Sequence, residues 1–271
     1  MDISAQDVLF SLLTGVAVVI VTMLADRLGG RVGGMLASAP VTTTAAHVVI
    51  ATSVAPELAV PRVLLGVAAM LASTFGIVAF FYAVKFTRGN PSSARLSAGL
   101  AIYLAVFFGL TILFATFPLH PVSAFVILFA THGALALTFM REPVPVLQGY
   151  VPRQSRRNVA ELAGRFLVGA AVVALIRALV HAYPPLAGAL AVVPAVFVVS
   201  LTVMGVKQNA PFAARAAQAG LFGTTAVAMF VLTVAAGLSL GVSVWPILPF
   251  AWLSYFTTLT LLGRLHSRIA R

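Results

Sequence analysis

The chain has 271 residues, 61% of them hydrophobic and only 8% charged, and its mean hydropathy is +1.07. A water-soluble fold, in which roughly a quarter of the residues are charged, cannot cover its surface with so few, and disorder requires low hydrophobicity. A soluble enzyme and a disordered chain are therefore excluded, and the absence of cysteine removes disulfides, thiolate metal sites and cysteine nucleophiles.

A helix crosses a hydrocarbon core about 30 Å thick with roughly 20 mostly apolar residues. The sequence predicts nine such spans in chain order: 8–25, 33–55, 62–84, 96–117, 121–140, 160–182, 186–206, 212–236 and 243–263. The expected fold is all-α, a polytopic membrane protein that uses residues 1–271 as a single membrane domain. The first span does not read as a cleavable signal, because Asp2 and Asp7 stand where a basic region would be needed. The basic stretch 141–158, with Pro143, Pro145, Pro152, Gln154 and Ser155, reads as a cytoplasmic linker.

The net charge of +11 arises from 17 Lys and Arg against 6 Asp and Glu. With nine spans, 15 of the 17 basic residues fall on one side. They are Arg27 and Arg31; Lys85, Arg88 and Arg95; Arg141, Arg153, Arg156, Arg157 and Arg165; Lys207 and Arg215; and Arg264, Arg268 and Arg271. Only Arg62 and Arg177 fall on the other. Basic residues mark the cytoplasmic side, so the N-terminus is expected outside and the C-terminus in the cytoplasm. The charge excess is then a signal of topology and needs no nucleic acid.

An offset of 154 residues superimposes the two halves of the chain. It carries the run from Gly34 to Pro40 onto that from Gly188 to Pro194, and Gly66 onto Gly220. Arg62 and Arg215 come within one residue of equivalence, each after a proline, Pro61 or Pro211, that is expected to open its helix. Residues 8–117 and 160–263 therefore read as two four-span repeats with 121–140 as the connecting helix. Five spans separate the repeat starts, so the two units have opposite orientation. Inverted repeats are characteristic of secondary transporters, with the site at the repeat interface.

The run Gly33-Gly34-Met35-Leu36-Ala37-Ser38-Ala39-Pro40, followed by Ala46-His47-Val48-Val49-Ile50, resembles the GlpM-like family of small bacterial inner-membrane proteins. Arg62 and Gly66 are also similar to that pattern. The resemblance covers roughly residues 9–117 and, more weakly, 160–263, where Ser200-Leu201 replaces Ala46-His47. It implies a four-span unit, here duplicated, and a bacterial plasma membrane. The family has been linked to alginate production, without an established molecular activity, so the resemblance implies architecture more than a substrate.

The segment from Ser38 to His47 carries the most chemistry. Pro40 lacks an N–H and clashes with the preceding turn, which predicts a break in the second span. Ser38 is expected to cap the half-helix beyond it, with Pro40 in its first turn. Exposed N–H groups and the helix dipole would then form an electropositive locus inside the membrane. Thr42, Thr43 and Thr44 cover nearly a full turn, with His47 at helical spacing beyond them. A matching break at Pro194 would bring a second half-helix, bearing Ser200, from the opposite side. Packing is the alternative reading of the threonines, because membrane helices tolerate Pro and Thr. The glycine run 29–34 reads as packing or a turn before it reads as a gate.

His47 and His132 lie deep in spans, and intramembrane ionisable groups are functional candidates. His47 could couple transport to protons or could be a neutral, hydrogen-bonded imidazole; for His132 the structural role is preferred. Arg62 and Arg215 are candidate entrances for anions, although Glu57 could pair with Arg62 and the positive-inside rule accounts for Arg215. Ser254, Thr257, Thr258 and Thr260 form a polar stripe that could line the path. All six acids sit near span ends, which argues against Na⁺ coordination or a cation pump.

The expected function is a secondary transporter or facilitator for a small anionic or polar solute, not an enzyme, with no cofactor and no metal. The candidate binding residues are Ser38, Pro40, Thr42, Thr43, Thr44, His47, Arg62, Pro194, Ser200 and Arg215. The expected partners are membrane lipids and the solute, with a homodimer left open. The alternative is a membrane scaffold, or a lipid or polyprenyl-phosphate translocase, supporting envelope polysaccharide assembly.

Overall fold

The computed structural model describes residues 5–28, 30–117, 120–139, 159–192 and 195–269. The linker 141–158 and Pro194 lie outside them. Among the described residues eleven helices run in order: α1 (Ala5–Leu28), α2 (Gly30–Ala37), α3 (Val41–Ser53), α4 (Pro56–Phe86), α5 (Ser92–Thr116), α6 (Pro121–Leu137), α7 (Val159–Ala182), α8 (Pro184–Leu190), α9 (Ala195–Lys207), α10 (Ala210–Ser239) and α11 (Val244–Ile269). No strand occurs among the described residues. Seven segments are long and apolar enough to cross a membrane: six long helices and the interrupted pair α2–α3, counted as Gly33–Ser53. The apolar stretches of α6 and α9 are shorter. The chain is an all-α polytopic membrane protein.

Burial separates two classes of helix. The most apolar windows of α4 and α10 are each 72% buried, whereas those of α1, α5, α7 and α11 are only 17–28% buried. The two long helices therefore form the core and pack on each other, and the others present apolar faces outward, as lipid contact requires. Around this core α5 packs on α4 and α11 on α10, α2 lies on α10 and α8 on α4, and α1 crosses α7. Likewise α3 packs on α7 and α9 on α1.

Close approaches fall at glycines. A Cβ at Gly34 would collide with the Ala216 carbonyl oxygen, and one at Gly188 with that of Arg62. The offset of 154 turns each of these contacts into the other. Gly15 and Gly169, equivalent at the same offset, face one another where α1 crosses α7, with a Gly169 Cβ 3.2 Å from Gly15 Cα. Small residues let backbones approach without a side-chain layer between them. Gly33 sits against the Ala25 carbonyl, so the described end of the 29–34 run is used for packing.

Two helix interruptions shape the centre. Ser38 and Ala39 end α2 with tight i→i−3 bonds to Met35 and Leu36, and α3 starts immediately after Pro40. The missing proline N–H accounts for the break. At the corresponding place, α8 ends at Leu190 and α9 begins at Ala195. The expectation that Pro61 opens a helix is corrected: α4 begins five residues earlier, at Pro56, and Pro61 lies inside it. In the first turns of a helix a missing N–H costs little, because the earliest amides have no intrahelical partner and only one bond further on is lost.

Candidate functional site

Residues flanking the two interruptions and residues of the two core helices line a cavity. It offers about 20 Å³ to the centres of water-sized molecules, room for one or two of them. Ten of its lining residues form five pairs at the 154-residue offset: Ser38 with Val192, Thr42 with Val196, Thr43 with Phe197, Met70 with Thr224 and Ser73 with Val227. Each pair has one hydroxyl-bearing and one hydroxyl-free member. Four hydroxyls come from the first half and one from the second, and no charged side chain or histidine lines the cavity.

Hydrogen bonds hold several of these hydroxyls in place. Ser38 Oγ donates to the Met35 carbonyl at 2.5 Å, and Tyr255 from α11 donates to the same carbonyl at 3.3 Å. The expected N-cap role for Ser38 is therefore corrected: α3 has Pro40 at its N-cap position and no side-chain cap. Ser38 belongs to the turn that continues α2, so its hydroxyl reaches back along α2. Ser73 Oγ lies 3.2 Å from Tyr103 Oη of α5. Thr44 donates to the Pro40 carbonyl and does not line the cavity.

Thr224 links the cavity to α6. Its Oγ1 lies 2.8 Å from His132 Nε2 and 3.1 Å from Thr74 Oγ1. Both ring nitrogens of His132 face carbonyls, Nδ1 that of Leu128 at 2.9 Å and Nε2 that of Leu221 at 2.8 Å, and the Thr224 hydroxyl donates to the same Leu221 carbonyl at 2.8 Å. His132 thus reaches the cavity wall through one hydroxyl.

His47 is fully buried one turn beyond Thr43 and does not line the cavity. Its Nδ1 donates to the Thr43 carbonyl at 2.7 Å, its Nε2 has no hydrogen-bond partner among the described residues, and its ring meets Phe230 edge-on. Ser200 is buried on α9, also off the cavity, with no partner for its hydroxyl among the described residues. Arg62 is half-buried near the start of α4, its Nη1 likewise without a partner among the described residues, and Arg215 is exposed on α10. Of the ten candidates the cavity brings together Ser38, Thr42 and Thr43, while Pro40 sets the break beside it. On α11, Thr257 and Thr260 are exposed and Ser254 bonds to Thr233, so the anticipated stripe faces mainly outward.

Ser73, Tyr103, Thr224 and Tyr255 were not among the candidates. The residues themselves are visible in the sequence. Which of the many spaced Ser, Thr and Tyr side chains turn inward depends on helix rotation, which apolar spans barely encode.

The far ends of the two half-helices beyond the breaks are also tied down. At the end of α9, Lys207 pairs with Glu161 of α7 at 2.9 Å. Arg165 of α7, 2% exposed, pairs with both Glu161 and Asp26 of α1. At the opposite end of α7, Arg177 donates to Ser53, the last residue of α3.

No family model matches the chain, and neither the curated proteins nor the solved structures contain a significant match to it.

Proposed function

We propose that the chain is a membrane transport protein, a secondary transporter or facilitator of a bacterial plasma membrane that moves a small anionic or polar solute through the central cavity. On this reading it crosses the membrane nine times, with its N-terminus outside and its C-terminus in the cytoplasm. Its halves are inverted repeats, each a four-span unit akin to the GlpM-like family, joined by α6. The observation that carries the reading is that residues flanking both helix interruptions meet at one cavity, ten of whose fourteen lining residues pair at the 154-residue offset. The reciprocal contacts of Gly34 with Ala216 and of Gly188 with Arg62 support the repeat. Discontinuous helices that meet between inverted repeats near mid-membrane are a recurring plan of transporters.

The unequal ends fit alternating access. The ion pairs of Arg165 and Lys207 hold α9 at the face assigned to the cytoplasm, whereas the Arg177–Ser53 bond ties α3 at the outer face. Proton coupling, first expected of His47, has a second candidate in His132, which touches the cavity wall through Thr224.

The test is flux of candidate solutes into liposomes containing the purified protein. Thr43→Val is expected to slow uptake about tenfold, the worth of one hydrogen bond to a charged or strongly polar solute, and Arg62→Ala to slow it less. Absence of flux for every solute tried, or flux indifferent to both substitutions, overturns the proposal. A reporter fused after Arg271 is expected in the cytoplasm; an external reporter overturns the topology.

A further inference from the structure

We propose that the central cavity is a seat for a single small monovalent anion, of about the size of fluoride or chloride. The inference rests on the reading of this cavity as the transport site and narrows its solute. Space is the first constraint. Room for one or two waters leaves no space for sugars, amino acids or phosphate esters in the cavity as it stands.

Charge is the second constraint. No carboxylate lines the cavity, so a dehydrated cation would lack a counter-charge there. Two helices of 13 residues begin at its wall: Thr42 and Thr43 stand in the first turn of α3, Val196 and Phe197 in that of α9. Each helix N-terminus carries the equivalent of roughly half a positive charge, so the two together match about one negative charge and leave a divalent anion half uncompensated. In α3 the Val41 and Thr44 amides donate to Ala39 and Pro40, and no side chain caps the helix.

A third, independent observation is the Thr43 side chain. It is 4% exposed, lines the cavity, and its Oγ1 makes no hydrogen bond among the described residues. Its hydroxyl proton is available to a molecule in the cavity, and a bound anion would accept it. Met70, Ile77, Val227 and Phe197 add an apolar wall, and low-dielectric surroundings strengthen the pull of fixed dipoles on an anion. A neutral solute would use the hydroxyls but gain little from the two dipoles.

The experiment uses the full chain in detergent micelles, with Trp245 and Trp252 fluorescence reporting thermal unfolding. Sodium fluoride, chloride and nitrate are titrated against gluconate at constant ionic strength, with sulfate, glycerol and urea as contrasts. The expected result is a saturable rise in unfolding temperature with fluoride or chloride and none with sulfate or glycerol. Thr43→Val should weaken the apparent affinity about tenfold or more, and Thr43→Ser should restore it. If Thr43→Val does not fold, Ser73→Ala carries the same expectation at smaller size. Identical curves for all monovalent salts and gluconate overturn the inference, as does a saturable shift by glycerol or sulfate that Thr43→Val abolishes. Flux measured with anion-selective electrodes separates the two proposals. Anion binding without flux of any solute keeps the seat and overturns transport, whereas flux of a neutral solute without an anion-dependent shift keeps transport and overturns the seat.

Discussion

The two interrupted helices share a backbone plan and divide the chemistry between them. At α2–α3 the cavity is met by Ser38, Thr42 and Thr43; at the equivalent positions of α8–α9 it is met by Val192, Val196 and Phe197. The glycine contacts that hold the plan together are reciprocal, but the hydroxyls are concentrated in one half. If the halves are repeats, as proposed, the difference teaches that backbone symmetry and site symmetry are separable. Close packing needs the same small residues twice, whereas a ligand needs only one set of donors.

The sharpest contrast lies at the far ends of the same half-helices. Arg165 is buried against Asp26 and Glu161 next to the Lys207 end of α9, whereas the end of α3 is held by Ser53. Removing one partner of a buried ion pair leaves the other charge stranded, which costs about 3–5 kcal/mol. Arg165→Met is therefore expected to destabilise by about 3 kcal/mol, because Lys207 still serves Glu161. Ser53→Ala should cost about 1 kcal/mol, since Arg177 can reach water at the helix end. Chemical unfolding in micelles measures both; equal losses would erase the distinction between the ends.

Next in size are the glycines. Gly34→Ala and Gly188→Ala each drive a Cβ into a backbone carbonyl, which cannot rotate away. Overpacking of this kind costs about 1–3 kcal/mol, and the reciprocal geometry predicts nearly equal losses for the two. Equal falls in unfolding temperature sharpen the equivalence of the halves. A tolerated alanine at one position beside a damaging one at the other would break it.

Much of this architecture was legible because it depends on local or compositional properties. The apolar lengths announce helices that span a membrane, and Pro40 announces a break wherever it stands in a helix, because it lacks an N–H. Ser38, Thr42 and Thr43 were legible as neighbours of that break. Ser73, Thr224 and Tyr255 were not, since a hydroxyl in an apolar helix looks the same whether it faces lipid or a cavity. The contacts of His132 were not legible, because its link to Thr224 joins residues 92 positions apart. Arg165 counted in the sequence as one more cytoplasmic charge, yet it is buried between two carboxylates.

The smallest expected effect tests whether the second half could carry the chemistry of the first. Val196 occupies the position equivalent to Thr42 and lines the same cavity. Val196→Thr changes a methyl into a hydroxyl with little change of volume, so packing against the cavity wall is retained. A buried hydroxyl needs a partner, and in this chain helical threonines find one in the carbonyl four residues back, as Thr44, Thr52 and Thr202 do. Residue 196 is the second of α9, so the residue four back, Val192, lies on the far side of the interruption. The new hydroxyl faces the cavity, whose water-sized space can supply a partner, and is expected to cost about 1 kcal/mol or less. The reverse change, Thr42→Val, removes a hydroxyl from the half of the cavity wall that carries most of them and should cost more, about 1–2 kcal/mol. The two variants compared by thermal unfolding in one detergent decide the point. If Val196→Thr is the more damaging, the second interruption is built to stay apolar, and the division of chemistry between the halves is a requirement of the fold.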